Sequence, residues 1–204
     1  MPGSRATLIW VLVGAAILVP SVWALTSPLL QWRDPVYIVA GFAGVIGMAL
    51  LLVQPLLVGG YLPGLAGMRG RGLHRIVGAL LVLAVVVHVV GLWITSPPDV
   101  VDALLLVSPT PFATWGVIAM WAMFAAASLG VLRRRFAVRL RLWRVLHTAS
   151  VCVVVIGTVV HAVQIEGTME IVSKWMLSVL ALLALACVIV DRRVWSALFL
   201  SRSK

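Results

Sequence analysis

The chain has 204 residues, of which 63% are hydrophobic and 11% charged, with a formal net charge of +10. That much apolar surface excludes an ordinary soluble domain, and the lack of short segments of alternating polarity excludes a membrane β-barrel. The positive charge does not point to nucleic acid, because the basic residues fall in short connections between apolar runs.

Runs of about 20 apolar residues cross the roughly 30 Å hydrocarbon core as helices, since in lipid each backbone amide must find its partner within its own segment. Six spans are predicted, making an all-α membrane protein with one domain over residues 1–204. The first, Thr7–Leu25, has an apolar run too long for a signal peptide and no convincing small-x-small cleavage site after it. Ser27-Pro28 and Arg33-Asp34-Pro35 separate it from the second, Val36–Leu57. A glycine-rich stretch from Gly59 to Gly72 leads to the third, Leu73–Ile94. After Ser96-Pro97-Pro98-Asp99 the apolar stretch Val100 to Val107 is too short to span. It is expected either to lie along the outer interface as a helix or lid, or to be a plain connector. The fourth span is Phe112–Leu132. The arginine-rich stretch Arg133 to Arg141 precedes the fifth, Trp143–Val163, and the polar Gln164 to Glu170 precedes the sixth, Ile171–Val190.

Charge orients these spans. Arg5, Arg69, Arg71, Arg75, Arg133, Arg134, Arg135, Arg139, Arg141, Arg144, Arg192, Arg193, Arg202 and Lys204 share one side, and only Arg33 and Lys174 lie on the other. That second side holds Asp34, Asp99, Asp102, Glu166 and Glu170, five of the 6 acidic residues. By the positive-inside rule both termini are cytoplasmic, as expected in a bacterial inner membrane. Trp32, Trp93, Trp143, Trp175 and Trp195 fall near span ends as interfacial anchors, while Trp121 is expected to pack inside. Cys152 and Cys187 lie in apolar runs without metal-like spacing and are expected to be buried structural thiols.

All 4 histidines sit in two spans. His74 and His88 are on the third, His147 and His161 on the fifth, and each pair is separated by fourteen residues. Fourteen steps of about 100° return a side chain to within roughly 40° of its starting direction and advance it about 21 Å. Each pair therefore shares a helix face. Both spans run the same way through the membrane, so His74 can face His147 near the cytoplasm and His88 can face His161 near the outer surface. An imidazole within the membrane can also serve an interhelical hydrogen bond, a proton relay or a bare metal. Equal spacing in two co-directional helices favours instead two b-type haems, each iron held between two imidazoles. Gly78, Gly91, Ser150, Gly157 and Thr158 are expected to leave room for the flat macrocycles.

Irons so ligated have no open position and relay electrons rather than bind substrate. Anionic propionates want cations, and Arg71, Arg75, Arg141 and Arg144 are candidates on the inner side. Outside, Arg33 and Lys174 are the candidates, with Gln31 or Gln164 as helpers. Arg133-Arg134-Arg135, with Arg139, is a candidate docking surface for an acidic cytoplasmic donor, although contact with lipid headgroups is the plainer explanation.

The chain resembles the ferric-reductase-like transmembrane superfamily. The resemblance is carried by Leu73-His74-Arg75 with Gly78 and His88, and by Leu142-Trp143-Arg144-Val145-Leu146-His147 with His161. Ser108-Pro109-Thr110-Pro111-Phe112 followed by Trp115-Gly116 is similar to the haem-binding membrane subunit of the periplasmic methionine sulfoxide reductase system. The resemblance runs from about Asp34 to Arg193 and implies a six-helix bundle with haems between the third and fifth spans. Ferric reductases and NADPH oxidases continue into flavin- and NADPH-binding domains, whereas no dinucleotide fingerprint is found here. Electrons are therefore expected from a separate flavoprotein, a bound flavin or a quinol, and are expected to pass to a periplasmic redox protein. Two other expectations stay open: reduction of ferric chelates or oxygen species at the outer haem edge, and a haem-free protein whose histidines serve transport or structure.

Overall fold

The computed structural model describes residues 3–133, 135 and 139–191, all helix and connecting turn. The helices are α1 (Ser4–Leu25), α2 (Pro35–Gly59), α3 (Met68–Thr95), α4 (Pro97–Leu104), α5 (Pro111–Leu132), α6 (Leu140–Gln164) and α7 (Ile171–Asp191). All but α4 are long and apolar enough to cross a membrane, so the chain is an integral membrane protein. α3 and α6 each begin before the apolar run predicted from sequence, at Met68 rather than Leu73 and at Leu140 rather than Trp143. An arginine stem can lie along such a turn while its charged head reaches the headgroup layer, which lets a helix outrun the hydrocarbon.

Local chemistry sets the ends. Asp34 accepts a hydrogen bond from the Val36 N–H at 2.7 Å, and Pro35 occupies the first position of α2, where an amide hydrogen would go unused. At its other end Gly60 adopts φ 75°, and the Tyr61 N–H reaches back to the Leu56 carbonyl at 3.1 Å, closing the helix with a left-handed cap. The Tyr61 hydroxyl also bonds Asp191, tying this turn to the end of α7. α7 starts on Glu170, whose carboxylate accepts from the Val172 N–H at 2.9 Å, the Ser173 N–H at 2.8 Å and the Ser173 hydroxyl at 2.6 Å.

These bonds, that of the Ser173 hydroxyl foremost, hold the Glu170 carboxyl below the usual carboxylate range. A lowered native pKa stabilises the fold above the unfolded pKa, and the gain is lost as pH falls through the native value. Glu170→Ala is expected to lower the melting temperature in detergent at neutral pH. The gap to wild type should close as the buffer is acidified below the carboxylate range; a gap independent of pH would show that the cap contributes nothing through its charge.

Two helical hairpins, α2–α3 and α5–α6, each pack tightly within themselves, and α7 bridges them by lying against both α2 and α6. α1 packs lightly, mainly on α2 and α7. With no hydrophobic force between helices in lipid, close approach depends on small residues. A Cβ on Gly91 would lie 2.8 Å from the Ala40 Cβ, and one on Gly157 would lie 3.0 Å from the Ala119 Cβ. Leu51, Leu81, Met123, Val154, Val155, Ala181 and Leu185 form a core drawn from α2, α3, α5, α6 and α7 at mid-depth.

Several local expectations change. Trp121 is 59% exposed, meeting Phe124 edge-on at 5.8 Å on the outside of the bundle, so it faces lipid rather than packing within. Cys187 is exposed and Cys152 half-buried, so only the latter takes part in the core. The segment Gln164 to Glu170 is more than a polar turn. Thr168 and Met169 are buried, and Met169 joins the core of Val45, Met48, Leu52, Ala162 and Leu177. Val100 to Val107 resolves into α4 and a turn that exposes Leu105, Leu106 and Val107. Arg134, Arg192, Arg193, Trp195, Arg202 and Lys204 lie outside the described residues.

Candidate functional site

The histidines meet in two layers. His74 and His147 have ring centres 6.4 Å apart with planes at 73°, and His88 and His161 have ring centres 6.4 Å apart with planes at 85°. The first layer sits at the basic end of the bundle and the second at the acidic end. Metal–nitrogen bonds of about 2 Å, with each ring centre about 1 Å further out, separate two imidazoles on one ion by roughly 6 Å. Near-perpendicular planes are no obstacle, since each imidazole can turn about its own bond to a metal.

The donor set says which group fits. Among the described residues no three His, Cys, Asp or Glu side chains converge on one point. Each layer thus offers two imidazoles, which leaves a bare ion short of ligands but suits a macrocycle that brings its own equatorial nitrogens. The two ligand-bearing helices also leave a way in: α3 packs on α2 and α6 on α5, and little of either packs on the other.

Ring orientation is set from behind. His88 Nδ1 lies 2.7 Å from the Ala40 carbonyl, His161 Nδ1 2.9 Å from that of Phe112, and His147 Nδ1 3.2 Å from that of Ala126. His74 has the Gln54 backbone as its counterpart. Nδ1 carries the proton in each such bond, which leaves the Nε2 lone pair free to ligate. The four acceptors repeat the histidine spacing: Ala40 and Gln54 are fourteen residues apart on α2, Phe112 and Ala126 fourteen apart on α5. Each hairpin is a copy of one device, with carbonyls on its first helix steering imidazoles on its second.

Glycines one turn beyond the acceptors make this possible. A Cβ on Gly44 would stand 3.1 Å from His88 Nδ1, and one on Gly116 would stand 2.7 Å from His161 Nδ1. These are the glycines that serve the acidic-end rings. Gly78, Gly91 and Gly157, assigned from sequence to the macrocycles, face the neighbouring helix of their own hairpin instead. Gly116→Ala is expected to push the His161 ring off the Phe112 carbonyl and to lower haem retention at the acidic end, with a milder loss for Gly44→Ala. Haem per chain after purification measures both; full retention in Gly116→Ala would refute the steric argument.

Aromatic groups flank the α6 histidines. Trp143 stacks on His147 at 5.2 Å and 14°, donates its Nε1–H to the Leu129 carbonyl at 2.9 Å, and carries the Arg133 guanidinium 4.8 Å over its ring. It was expected as an interfacial anchor; lying four residues before His147, it shares that histidine's face. Phe112 meets His161 edge-on at 5.8 Å. The Ser108-Pro109-Thr110-Pro111 entry, tied by a 2.9 Å hydrogen bond between the Ser108 and Thr110 hydroxyls, starts α5 so that the Phe112 carbonyl meets the ring.

The four arginines proposed for the basic end are all exposed. Arg71 and Arg144 each precede a basic-end histidine by three residues and share its face. Arg75 and Arg141 are turned by about 100° and 120° from that direction. At the acidic end Lys174 is buried, its Nζ donating to the Ile165 carbonyl at 2.5 Å, and Arg33 lies 4.9 Å over the Tyr37 ring. Both outer cations already have partners. Gln54 and Gly44 escaped the sequence argument, and Gly116 entered it only within the Trp115-Gly116 motif, although a glutamine within the apolar run Val36–Leu57 was a visible signal.

No curated protein and no solved structure matches the chain. The family described as ferric reductase like transmembrane component matches residues 40–158, a stretch that contains His74, His88 and His147 and stops just short of His161. The chain therefore belongs to the ferric-reductase-like transmembrane family, an integral membrane domain of a kind that typically binds haem and points to electron transfer across the bilayer.

Proposed function

We propose that the chain is a di-haem cytochrome b that passes electrons from the basic to the acidic face of the membrane. The observation that carries this is the equal 6.4 Å separation of two histidine rings at two depths. His74 and His147 would hold one b-type haem and His88 and His161 the other. Bound there, each haem would supply a one-electron Fe(III)/Fe(II) couple. The chain's own part is to fix the imidazoles by their Nδ1 bonds, to keep water from the mid-depth core, and to set two layers about 21 Å apart along the helices. Arg71 and Arg144, with Arg75 and Arg141 beside them, supply cations for propionates at the basic end.

The charge distribution supports a cytoplasmic basic face and cytoplasmic termini, as in a bacterial inner membrane. The donor on that face is a separate flavoprotein or quinol, with a flavin or quinone supplied separately, and the acceptor on the other is a periplasmic redox protein. The family's description favours a second possibility, direct reduction of ferric chelates at the acidic-end haem. Oxidation of the reduced, purified protein by ferric chelate with no partner present would select it.

The deciding experiment is a haem count per chain with a reduced-minus-oxidised spectrum. Two haems with a low-spin b-type spectrum are expected. A pale preparation without a Soret band, made with ample haem supply, would overturn the proposal.

A further inference from the structure

One helical turn before His147 stands a flat aromatic ring, and no other histidine of the chain has one there. Position 143 on α6 is tryptophan, whereas the matching positions before His74, His88 and His161 are Gly70, Ala84 and Gly157. Residues four apart share a helix face, which brings Trp143 onto His147. Their rings stack at 5.2 Å with planes 14° apart. His161 meets Phe112 edge-on instead, at 5.8 Å and 65°.

One side of α5 and its end hold this stacked pair. Ala126, Leu129 and Arg133 are spaced three and four residues apart and so follow a single stripe. The Ala126 carbonyl faces His147 Nδ1 at 3.2 Å, and the Leu129 carbonyl accepts the Trp143 Nε1–H at 2.9 Å. The Arg133 guanidinium lies 4.8 Å over the Trp143 ring. The indole is thus fixed both at its N–H and on its ring, independently of His147.

His147 has the most need of such a neighbour. Its Nδ1 contact of 3.2 Å is longer than the 2.7 Å of His88 and the 2.9 Å of His161. A single long hydrogen bond leaves an imidazole room to rock about its Cβ–Cγ bond. Rocking would drive an edge of the ring into the indole face, so the stack removes that freedom.

We infer that Trp143 is a positioning residue for the basic-end ligand: its ring, pinned to α5 by Leu129 and Arg133, sets the plane of the His147 imidazole and with it the 73° angle to His74. This rests on the ligation proposed above, under which that angle lies between the two axial ligands of one iron. The largest g-value of a low-spin ferric haem follows the angle between its imidazole planes, so electron paramagnetic resonance reads the effect of Trp143 directly.

The test compares the purified, oxidised full chain as wild type, Trp143→Leu and Trp143→Phe by haem count and electron paramagnetic resonance. The signal missing from His147→Ala identifies the basic-end haem. In Trp143→Leu that signal is expected to move or broaden, while the acidic-end signal keeps its position and intensity. Trp143→Phe, which retains a flat ring, should bring it back toward wild type. Loss of the basic-end haem in the leucine variant with retention in the phenylalanine variant also supports the assignment. An unchanged basic-end signal in the leucine variant, an equal effect of the two substitutions, or a matching change at both layers overturns it. Trp143 is half-buried and leucine is a strong helix former, and the acidic-end signal checks that the bundle still stands. Wild type without haem would instead remove the ligation itself, a result distinct from any difference between the variants.

Discussion

On the proposed ligation, His161→Ala is expected to leave one haem per chain in place of two and to stop electron flow to the acidic face. All 4 histidines are used in the two pairs, so no spare imidazole can substitute. The side chain is held by the Phe112 carbonyl at 2.9 Å and flanked by the Phe112 ring, contacts that an alanine cannot make. His88→Ala acts on the same layer and should give the same phenotype, while the basic-end haem stays partly loaded. The measurements are haem per chain and the transfer of electrons across proteoliposomes to a trapped acceptor, which should fall to background. Equal loss of both haems in every histidine variant would mean that the layers are wrongly assigned or load together.

His147→Ala reverses the pattern. Its layer lies at the basic end, and its loss also strips Trp143 of its stacking partner. About half of the haem should remain, now held by His88 and His161. A reductant confined to the basic face should no longer reach that haem, whereas an impermeant reductant at the acidic face should still reduce it. Undiminished reduction from the basic face would sink the two-layer relay. His74→Ala should behave alike, and the contrast between these variants and the acidic-end pair separates a vertical relay from two unrelated sites.

The histidine layers were legible because helical periodicity is a strict geometric rule. A spacing of fourteen on two co-directional spans leaves few alternatives once both helices are apolar along their length. Span positions followed from hydropathy for the same reason. What escaped was set by contacts between helices. Gly78, Gly91 and Gly157 looked like space for a macrocycle because sequence shows that a side chain is missing, not which neighbour fills the gap. Gly44 went unnoticed, and Gly116 was read only as part of a motif, because their purpose depends on the register of one helix against another. Trp143 read as an interfacial anchor by its depth alone; that it also stacks on His147 depends on which face of α6 it occupies. Thr168 and Met169 lie in a stretch of turn formers and polar residues, and only the tertiary packing draws them inward. Thr168 fits against Gly41, where a Cβ would collide with its side chain, and Met169 packs into the core beside Val45 and Leu177.

Each hairpin steers its own imidazoles and owns only half of either pair. On the proposed ligation, a metal bridge then joins α3 to α6 twice, at two heights, where direct packing between those helices is sparse. The prosthetic groups would add to α7 and the shared mid-depth core in fastening the halves, and withdrawing them should loosen one hairpin against the other while each stays internally intact. On that ligation, closing the two hairpins against each other would also complete both iron sites.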